Sequence, residues 1–176
     1  GSAPIVATDT TIAAASMIAI DTATTTVIDV TAATNITGTA ANILTAIGSA
    51  GITTSATYAA TVSGAASVSQ ANTMDADTSG VVTASLTETD AATLITLSGT
   101  GNAYTITVAD ATVAAANLNT IDAATTVAVN ATAATSITGT EADLLFVVSG
   151  GITTAATYAM RLTSATSVSA ATLVTN

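Results

Sequence analysis

Acidic side chains are the residues of this chain most able to bind a ligand. Asp21, Asp75 and Asp122 lie where a predicted helix passes into the following strand, and Asp77 lies beside one of them. Oxygen-rich loops bind Ca²⁺, which takes about six to eight oxygen ligands, whereas each loop here offers one or two carboxylates. We therefore treat these four residues as weak calcium candidates, and structural capping of the turns is the favoured interpretation.

Two further carboxylate pairs could suggest acid–base chemistry. Glu88 and Asp90 are separated by two positions, as are Glu141 and Asp143. Paired carboxylates catalyse glycoside hydrolysis when they flank a cleft, but both pairs fall at predicted turns or helix starts, where the positive end of the helix dipole favours negative charge. We predict no catalytic role for either pair.

Other common catalytic arrangements lack their residues. The chain contains no His and no Cys, so a nucleophile–histidine triad and a thiolate metal site cannot form. Arg161 is the single cation, and it falls at a predicted outward strand position. Residues 98–102 (SGTGN) resemble the start of a phosphate loop, but they precede a predicted strand instead of a helix, so a turn is expected. We predict that the protein is not an enzyme and has no cofactor.

The elements that must position these residues belong to an internal repeat. Residues 31–39 (TAATNITGT) return as residues 132–140 (TAATSITGT), and residues 51–59 (GITTSATYA) return as residues 151–159 (GITTAATYA). The offsets are 101 and 100 residues, and almost everything outside the central stretch has a copy. Self-similarity at a fixed period is the signature of repeat architectures.

Six segments alternate bulky inward with small or polar outward residues, which is the period of a strand with one buried face. The starts of these segments are 22 to 32 residues apart, so we predict one strand per coil and one shared parallel sheet. The segments are residues 26–30, 58–62, 82–86, 104–108, 127–131 and 158–162. The predicted inward residues are Ile28, Val62, Ile106, Val129 and Met160, and the predicted outward residues include Thr61, Thr105 and Asn130.

Helix signals occur between these segments. Residues 39–47 and 140–148 each begin with Thr, carry an Asx residue three places later and are followed by Gly after an apolar run. Residues 67–75 and 110–122 predict shorter helices that Ser67 and Asp110 could cap. An all-β parallel β-helix is the alternative if these segments are not helical.

The charge balance excludes several classes of partner. Eleven acids and one base give a formal net charge of −10. Binding to nucleic acid or to an anionic membrane surface requires Lys and Arg. No apolar stretch approaches the roughly 18 to 20 residues of a membrane span. We therefore predict no nucleic-acid partner and no membrane span.

The outward strand residues are mostly small and polar, as on the flat faces of ice-binding proteins. Only residues 104–107 carry the Thr-x-Thr pattern, at Thr105 and Thr107, and the predicted row is interrupted by Asp29 and Arg161. Ice binding is therefore a minor alternative, beside glycan or protein binding by the same face or by the long-coil loops.

The repeated runs also resemble a known class of protein. Residues 36–43 and 137–144 follow the pattern ITGT-x-A-[ND]-[IL], and residues 108–126 read VADATVAAANLNTIDAATT. Such Thr/Ala/Val-rich, Cys-free, acidic runs resemble repeats of very large bacterial surface or secreted proteins, including those of cyanobacteria and other aquatic bacteria. The likeness covers nearly the whole chain and implies an extracellular stalk, adhesion or surface-layer role without a transferable catalytic residue.

Together these patterns predict an α/β fold, a right-handed repeat solenoid with a parallel sheet on one face and short helices on the other. It would form a single solenoid of about seven coils over residues 3–176, with a super-repeat of about 100 residues, and Gly1 and Ser2 would be a cloning scar. The expected function is a structural or adhesive segment of a large extracellular bacterial surface protein. Its partners would be neighbouring repeats of the same chain and a cell-surface glycan or protein.

Overall fold

The computed structural model describes residues 3–163, which form two compact units. The first contains the residues up to Thr87 together with Asn102–Tyr104, and the second contains Glu88–Gly101 together with the residues from Thr105 onward. The proposed scar at residues 1 and 2 and the last part of the predicted solenoid lie outside the described residues.

The first unit consists of very short strands that alternate with helices of eight to ten residues. In chain order its elements are β1 (Ile5–Val6), β2 (Thr11–Ala13), α1 (Ala14–Ala23), β3 (Ile28–Asp29), β4 (Asn35–Gly38), α2 (Ala40–Ile47), β5 (Ile52–Thr53), β6 (Ala59–Ala66), α3 (Val68–Asp77) and β7 (Val82–Leu86). The strand that follows in this unit's larger sheet is β8 (Ala103–Thr105), which comes after α4 (Ala91–Leu94) of the second unit.

The second unit uses the same kinds of element. After α4 it contains β9 (Thr112–Ala114), α5 (Ala115–Ala123), β10 (Val129–Ala131), β11 (Ser136–Gly139), α6 (Glu141–Ser149), β12 (Ile152–Thr154) and β13 (Ala159–Leu162). Segments separated by the sequence repeat of about 100 residues therefore have the same secondary structure. The matching elements are β2 and β9, α1 and α5, β4 and β11, and α2 and α6.

All strand pairs with a defined register are parallel. The first unit has the sheets β1–β3–β5 and β2–β4–β6–β7–β8, and the second has β9–β11–β13 and β10–β12. Paired residues such as Ile5 and Ile28, or Ile12 and Ile36, are 23 and 24 positions apart. The spacing stays between 22 and 24 residues in every pair except beyond a bulge in β6, where Ala65 pairs with Ser85. The protein is thus an α/β fold of parallel sheets and short helices.

The prediction of one strand per coil and one shared sheet is wrong. Residues 28–29 pair with β1 and β5, whereas residues 59–66 pair with β4 and β7, so the two segments belong to different sheets. Likewise β10 pairs with β12, not with β13. Most stretches of about 23 residues contribute two short strands, because the chain turns a corner between them, whereas residues 67–102 contribute only β7.

That corner is an Asx turn, which interrupts the alternation of inward and outward residues. The Asp29 carboxylate accepts hydrogen bonds from the Thr31 backbone N–H (3.0 Å) and hydroxyl (2.7 Å). Asn130 accepts the equivalent bonds from Thr132 at 3.1 and 2.8 Å. These bonds to the charged form hold the pKa of Asp29 below its usual value.

The predicted inward and outward residues follow the expected pattern within each strand. Ile28, Ile106 and Val129 are buried, and Val62 and Met160 are half-buried. Thr61, Thr105 and Asn130 are exposed. The local alternation is therefore confirmed even though the sheet assignment is not.

The helix predictions for the two long coils are confirmed. Thr39 and Thr140 cap α2 and α6 by accepting the backbone N–H groups of Asn42 and Asp143, each at 3.2 Å. A helix therefore fills both segments, which contradicts the all-β alternative.

The shorter predicted helices differ in how they begin. Ser67 and Gln70 form a capping box at the start of α3, as the Ser67 signal predicts. The cap predicted at Asp110 is wrong for α5, because strand β9 comes first and Ala114 occupies the cap without a side-chain bond. Asp110 instead accepts the Ala91 backbone N–H at the start of α4 (2.8 Å).

The core of each unit consists of aliphatic residues with few large side chains. In the first unit the largest fully buried side chains include Met17, Ile36, Ile43, Met74, Tyr58 and Tyr104. In the second unit Leu118, Ile121, Ile137 and Leu144 have the same role. Gly139 must be small, since a Cβ there would lie 2.9 Å from the Cβ of Ala115, where β11 packs on α5. Small residues thus let strands and helices approach closely.

We predict that Ser67→Ala lowers the free energy of unfolding by about 0.5–2 kcal/mol, because it leaves the Gln70 backbone N–H in the first turn of α3 without its acceptor. Ser69→Ala is the matched control, since Ser69 lies exposed in the first turn of the same helix. Urea unfolding monitored by circular dichroism measures both. Equal losses in the two variants would contradict the role of the capping box.

Candidate functional site

The four calcium candidates all lie in the last turns of helices, where negative charge is unfavourable. Asp21 lies in the last turn of α1, Asp75 and Asp77 lie at the end of α3, and Asp122 lies at the end of α5. None of these helices carries a basic residue in its last turn. Because the negative end of the helix dipole repels a carboxylate by a few tenths to about 1 kcal/mol, another interaction must offset this repulsion.

Hydrogen bonds from residues elsewhere in the chain supply that interaction in the first unit. Asp21 Oδ2 accepts the Ser49 hydroxyl at 2.7 Å, and Ser49 Oγ in turn accepts the Gly51 backbone N–H at 3.1 Å. A Cβ on Gly51 would collide with the Asp21 carboxylate. The Asp21 carboxylate therefore joins the end of α1 to the loop between α2 and β5, and Gly51 makes room for it.

Asp75 and Asp77 make the corresponding bonds at the end of α3. The Asn102 side-chain amide donates to Asp75 Oδ1 at 2.6 Å, and its carbonyl oxygen accepts the Val82 backbone N–H at 2.8 Å. The Tyr58 hydroxyl donates to Asp77 Oδ2 at 2.7 Å. Each carboxylate therefore binds a residue that follows or precedes it by 19 or more positions.

Burial and these carboxylates also act on the two core tyrosines. Burial, the hydrogen bond to Asp77 and the charge of Asp77 raise the pKa of Tyr58 well above its usual value. Burial and the charge of Asp75 do the same to the pKa of Tyr104. Both phenols therefore stay protonated at any physiological pH, so neither is a base.

In the second unit, Asp122 lies against Gly151, where a Cβ would come 2.7 Å from its Oδ1. Two helices are joined differently there, by Asn119, whose amide donates at 3.3 Å to both Asp143 Oδ1 and the Asp143 carbonyl oxygen. In the described residues no three acidic side chains come close enough together to hold one metal ion. The structure thus places the calcium candidates at separate positions, and calcium binding stays a hypothesis.

The two carboxylate pairs lie at helix starts, as the sequence predicts. Asp90 caps α4 by accepting the Thr93 backbone N–H at 2.8 Å. Hydrogen bonds from the Thr93 side chain and backbone lower the pKa of the Asp90 carboxyl. The Asp143 carboxylate accepts the Thr140 hydroxyl at 2.7 Å, and Glu141 shares the first turn of α6. Capping accounts for Asp90 and Asp143.

Arg161 lies exposed on β13, paired in register with Thr138 of β11. The glycines of residues 98–102 form a turn, with Gly99 and Gly101 at φ values of 75° and 82°, and strand β8 follows. The turn interpretation is therefore confirmed for the backbone. An open groove lined by Pro4, Thr25, Thr26 and Val27 contains no titratable side chain.

Sequence reasoning missed a row of threonines on the larger sheet of the first unit. Thr37, Thr61 and Thr83 lie in register on β4, β6 and β7. The Thr61 hydroxyl donates to Asn35 Oδ1 of the neighbouring strand at 3.1 Å. Asp29 is not in this row, since it lies in the other sheet beside Thr53. The 24-residue spacing of Thr37 and Thr61 was the available signal, but the predicted strands did not include residue 37.

Comparison with known protein families, with curated proteins and with solved structures gives no match for this chain. None of the helices in residues 3–163 combines the length and hydrophobicity that crossing a bilayer requires.

We predict that Tyr58→Phe destabilises the protein by about 1.5–3 kcal/mol, because the charged Asp77 carboxylate loses the hydrogen bond that the Tyr58 hydroxyl donates to it. Tyr158→Phe is the matched control: Tyr158 occupies the equivalent repeat position, and its buried hydroxyl has no hydrogen-bond partner among the described residues. Chemical unfolding of both variants tests this. A cost in Tyr158→Phe as large as that in Tyr58→Phe would contradict it.

Stability should fall as the pH rises above about 10, the usual pKa of tyrosine. The raised folded-state pKa values of Tyr58 and Tyr104 mean that the unfolded chain releases these protons first, so their stabilisation is complete below that pH and is lost above it. The chain has no Cys or His, and its one cation is Arg161, so few other groups titrate there. Thermal melting between pH 8 and 12 measures the effect. The melting temperature of Tyr58→Phe should decline less steeply with pH than that of the unaltered protein.

We expect melting temperatures in EDTA and in millimolar calcium to agree, because a cation that binds only the folded state would raise the transition by mass action. A rise of several degrees in calcium, lost on mutation of Asp21, Asp75, Asp77 or Asp122, would establish the calcium hypothesis instead.

Proposed function

We propose that the chain is a non-catalytic structural or adhesive repeat segment of a large extracellular bacterial surface protein. In this proposal it forms one right-handed α/β solenoid of about seven coils, with a super-repeat of about 100 residues. The observation that carries the proposal is the constant register: parallel strands 22–24 residues apart recur in both units. A solenoid whose coils contact only their neighbours is a natural spacer, since it grows by adding coils.

The side-chain hydrogen bonds fit a load-bearing role. The Ser49–Asp21 bond joins residues 28 positions apart, and the Tyr58–Asp77 bond joins residues 19 positions apart. Both separations are about one coil of chain. The helices also contact one another in sequence, α1 with α2, α2 with α3 and α5 with α6. Backbone ladders, helix contacts and carboxylate bonds thus all connect segments about one coil apart.

Composition supports the extracellular part of the proposal. A net charge of −10 with one cation keeps the chain soluble and disfavours adhesion to nucleic acid. The absence of Cys makes folding independent of the redox state outside the cell. The repeats resemble those of giant bacterial surface proteins, and that resemblance, not the fold, suggests the location.

Pulling experiments test the spacer role. We expect single molecules stretched from their ends to unfold in small successive steps that release about one coil each, roughly 8 nm at 3.3–3.6 Å per residue. A single step that releases the whole chain would contradict a coil-by-coil solenoid. Antibodies against the chain should label intact cells of the source organism, and labelling only after permeabilisation would contradict the surface location.

A second candidate is a binding module that uses the exposed sheet of the first unit. The threonine row of Thr37, Thr61 and Thr83 is the specific observation in its favour, because aligned hydroxyls at strand spacing can contact a regular ligand such as a glycan or ice. Glycan-array binding and ice-recrystallisation assays of the protein and of Thr61→Arg distinguish a binding module from a spacer without a ligand. Thr73→Arg, on the exposed side of α3, is the control. Binding lost only in Thr61→Arg would favour the module.

A further inference from the structure

The chain contains two Asn-x-Thr tripeptides, at residues 35–37 (NIT) and 130–132 (NAT). This tripeptide is the acceptor sequence for sugars that enzymes attach to the asparagine side chains of secreted proteins. In a chain this rich in threonine the tripeptide can arise by chance, so it identifies no site by itself. The folded surroundings of Asn35 and Asn130 differ, and that difference distinguishes the two.

Asn130 lies exposed in the second unit, on a segment that has a paired neighbour on each side. It pairs with Thr153 of β12 and forms a parallel bridge to Thr107. Its backbone N–H donates to the Ile106 carbonyl oxygen at 3.0 Å, and its carbonyl oxygen accepts the Val108 N–H at 2.8 Å. Thr107 and Thr153 are exposed as well. Asn130 therefore occupies an outward position between two neighbours that are small and polar.

The side-chain amide of Asn130 has a bonded oxygen and an unbonded nitrogen. Oδ1 accepts the Thr132 backbone N–H at 3.1 Å and the Thr132 hydroxyl at 2.8 Å, so an Asx turn bends the tripeptide. The backbone N–H can only donate, which places the oxygen and not the nitrogen on that side. Nδ2 donates no hydrogen bond to any residue that the structure describes. The nitrogen that would carry a sugar is therefore free of protein partners.

Asn35 is held differently in the first unit. It lies within β4, between β2 and β6, and is only half-exposed. Its Oδ1 accepts the Thr61 hydroxyl at 3.1 Å, and the Thr37 hydroxyl donates to the Ile12 carbonyl oxygen at 3.5 Å. This tripeptide is extended and bonded on both sides, so an enzyme would have to open the sheet to bend it. Asn35 is therefore a matched control for Asn130 in the same chain.

We propose that Asn130 is a site of N-linked glycosylation of the folded protein and that Asn35 is not. The sugar donor is a glycosyl diphosphate, in which the anomeric carbon C1 is bonded to a phosphate oxygen. Hydrogen bonds donated to Oδ1 stabilise the negative charge that forms when a basic group of the transferase removes a proton from Nδ2. Nδ2 then bonds to C1, the bond between C1 and the phosphate oxygen breaks, and the diphosphate leaves with that electron pair.

The repeat gives this site a natural counterpart without an acceptor nitrogen. Asp29 makes the same turn with Thr31 as Asn130 makes with Thr132, but its side chain is a carboxylate. A sugar at Asn130 would therefore mark the second copy of the turn and not the first. The inference rests on the extracellular part of the proposed function, because sugars on this tripeptide belong to secreted proteins.

Peptide masses of the protein purified from its source cells test the proposal. A protease that cuts before Asp releases residues 122–142 with Asn130 and residues 29–74 with Asn35, so each tripeptide has a peptide of its own. We expect residues 122–142 to carry the added mass of one or more sugars. Occupancy at Asn35 should be at least about tenfold lower, because bending that tripeptide breaks hydrogen bonds. An unmodified 122–142 peptide, equal occupancy in both peptides, or sugars on threonine only overturns the proposal.

Variants of the two turns test the role of the tripeptide. Asn130→Asp keeps the turn, as Asp29 does, but lacks Nδ2 and should lose the sugar. Thr132→Ser retains a hydroxyl and should stay modified, whereas Thr132→Ala should not. Asp29→Asn completes the acceptor tripeptide in the first copy of the turn and should add a second sugar at position 29. A chain that stays unmodified there would contradict the role given to the turn.

Cell fractions identify the donor. Unmodified protein is incubated either with the soluble fraction of the source cells and nucleotide-activated sugars, or with their membrane fraction, which contains lipid-linked sugars. Transfer to Asn130 in one fraction supports the proposal and shows which diphosphate is used. No transfer in either fraction overturns it.

Antibody labelling separates this inference from the proposed function. Labelled intact cells whose protein is unmodified at Asn130 would overturn the glycosylation site alone. A modified Asn130 in a protein that antibodies reach only after permeabilisation would overturn the surface location alone.

Discussion

The parallel backbone ladder is the constraint on which the rest of this structure depends. The strands are two to five residues long in most cases, so no single pair is stable alone. They gain stability because each strand pairs with a neighbour 22–24 residues away in the sequence. The paired positions carry the same type of residue, as in Ile5, Ile28 and Ile52 on three neighbouring strands. A slip of one residue in the register of a pair would turn inward residues outward, and the two extra residues of β6 are accommodated as a bulge.

The constant spacing in turn explains the residue composition. Strands and helices that approach this closely leave room for Ala, Val and Ile but little for aromatic rings, which make up 2% of the chain. Tyr58 and Tyr104 are the exceptions in the first unit, and each reaches toward a carboxylate of α3. The acidic residues at the ends of α1 and α3 are therefore part of the architecture, because they accept hydrogen bonds from preceding or following segments of the chain.

The carboxylates that sequence reasoning considered for calcium or catalysis lie at the ends of several helices, with Asp75 and Asp77 together at the end of α3. Asp21, Asp75, Asp77, Asp90 and Asp143 each accept a protein hydrogen bond. What the surface does offer is regular: aligned threonines on one sheet.

The sequence by itself determined the features that depend on near neighbours. The helices α2 and α6 could be predicted because Thr39 and Thr140 cap them within three residues, and the inward side of Ile28 or Val129 follows from alternation within one strand. The repeat equivalence of α1 and α5 was also readable from the residues. Only the tertiary structure decided which strands pair, because strands this short carry too few residues to identify their partners, and the Asx turns at Asp29 and Asn130 move the chain from one sheet to another. It also decided that Asp110 accepts the Ala91 backbone N–H at the start of α4 instead of capping α5, and that Ile20 is exposed where Ile121 is buried. Both depend on segments that come together only in the folded chain.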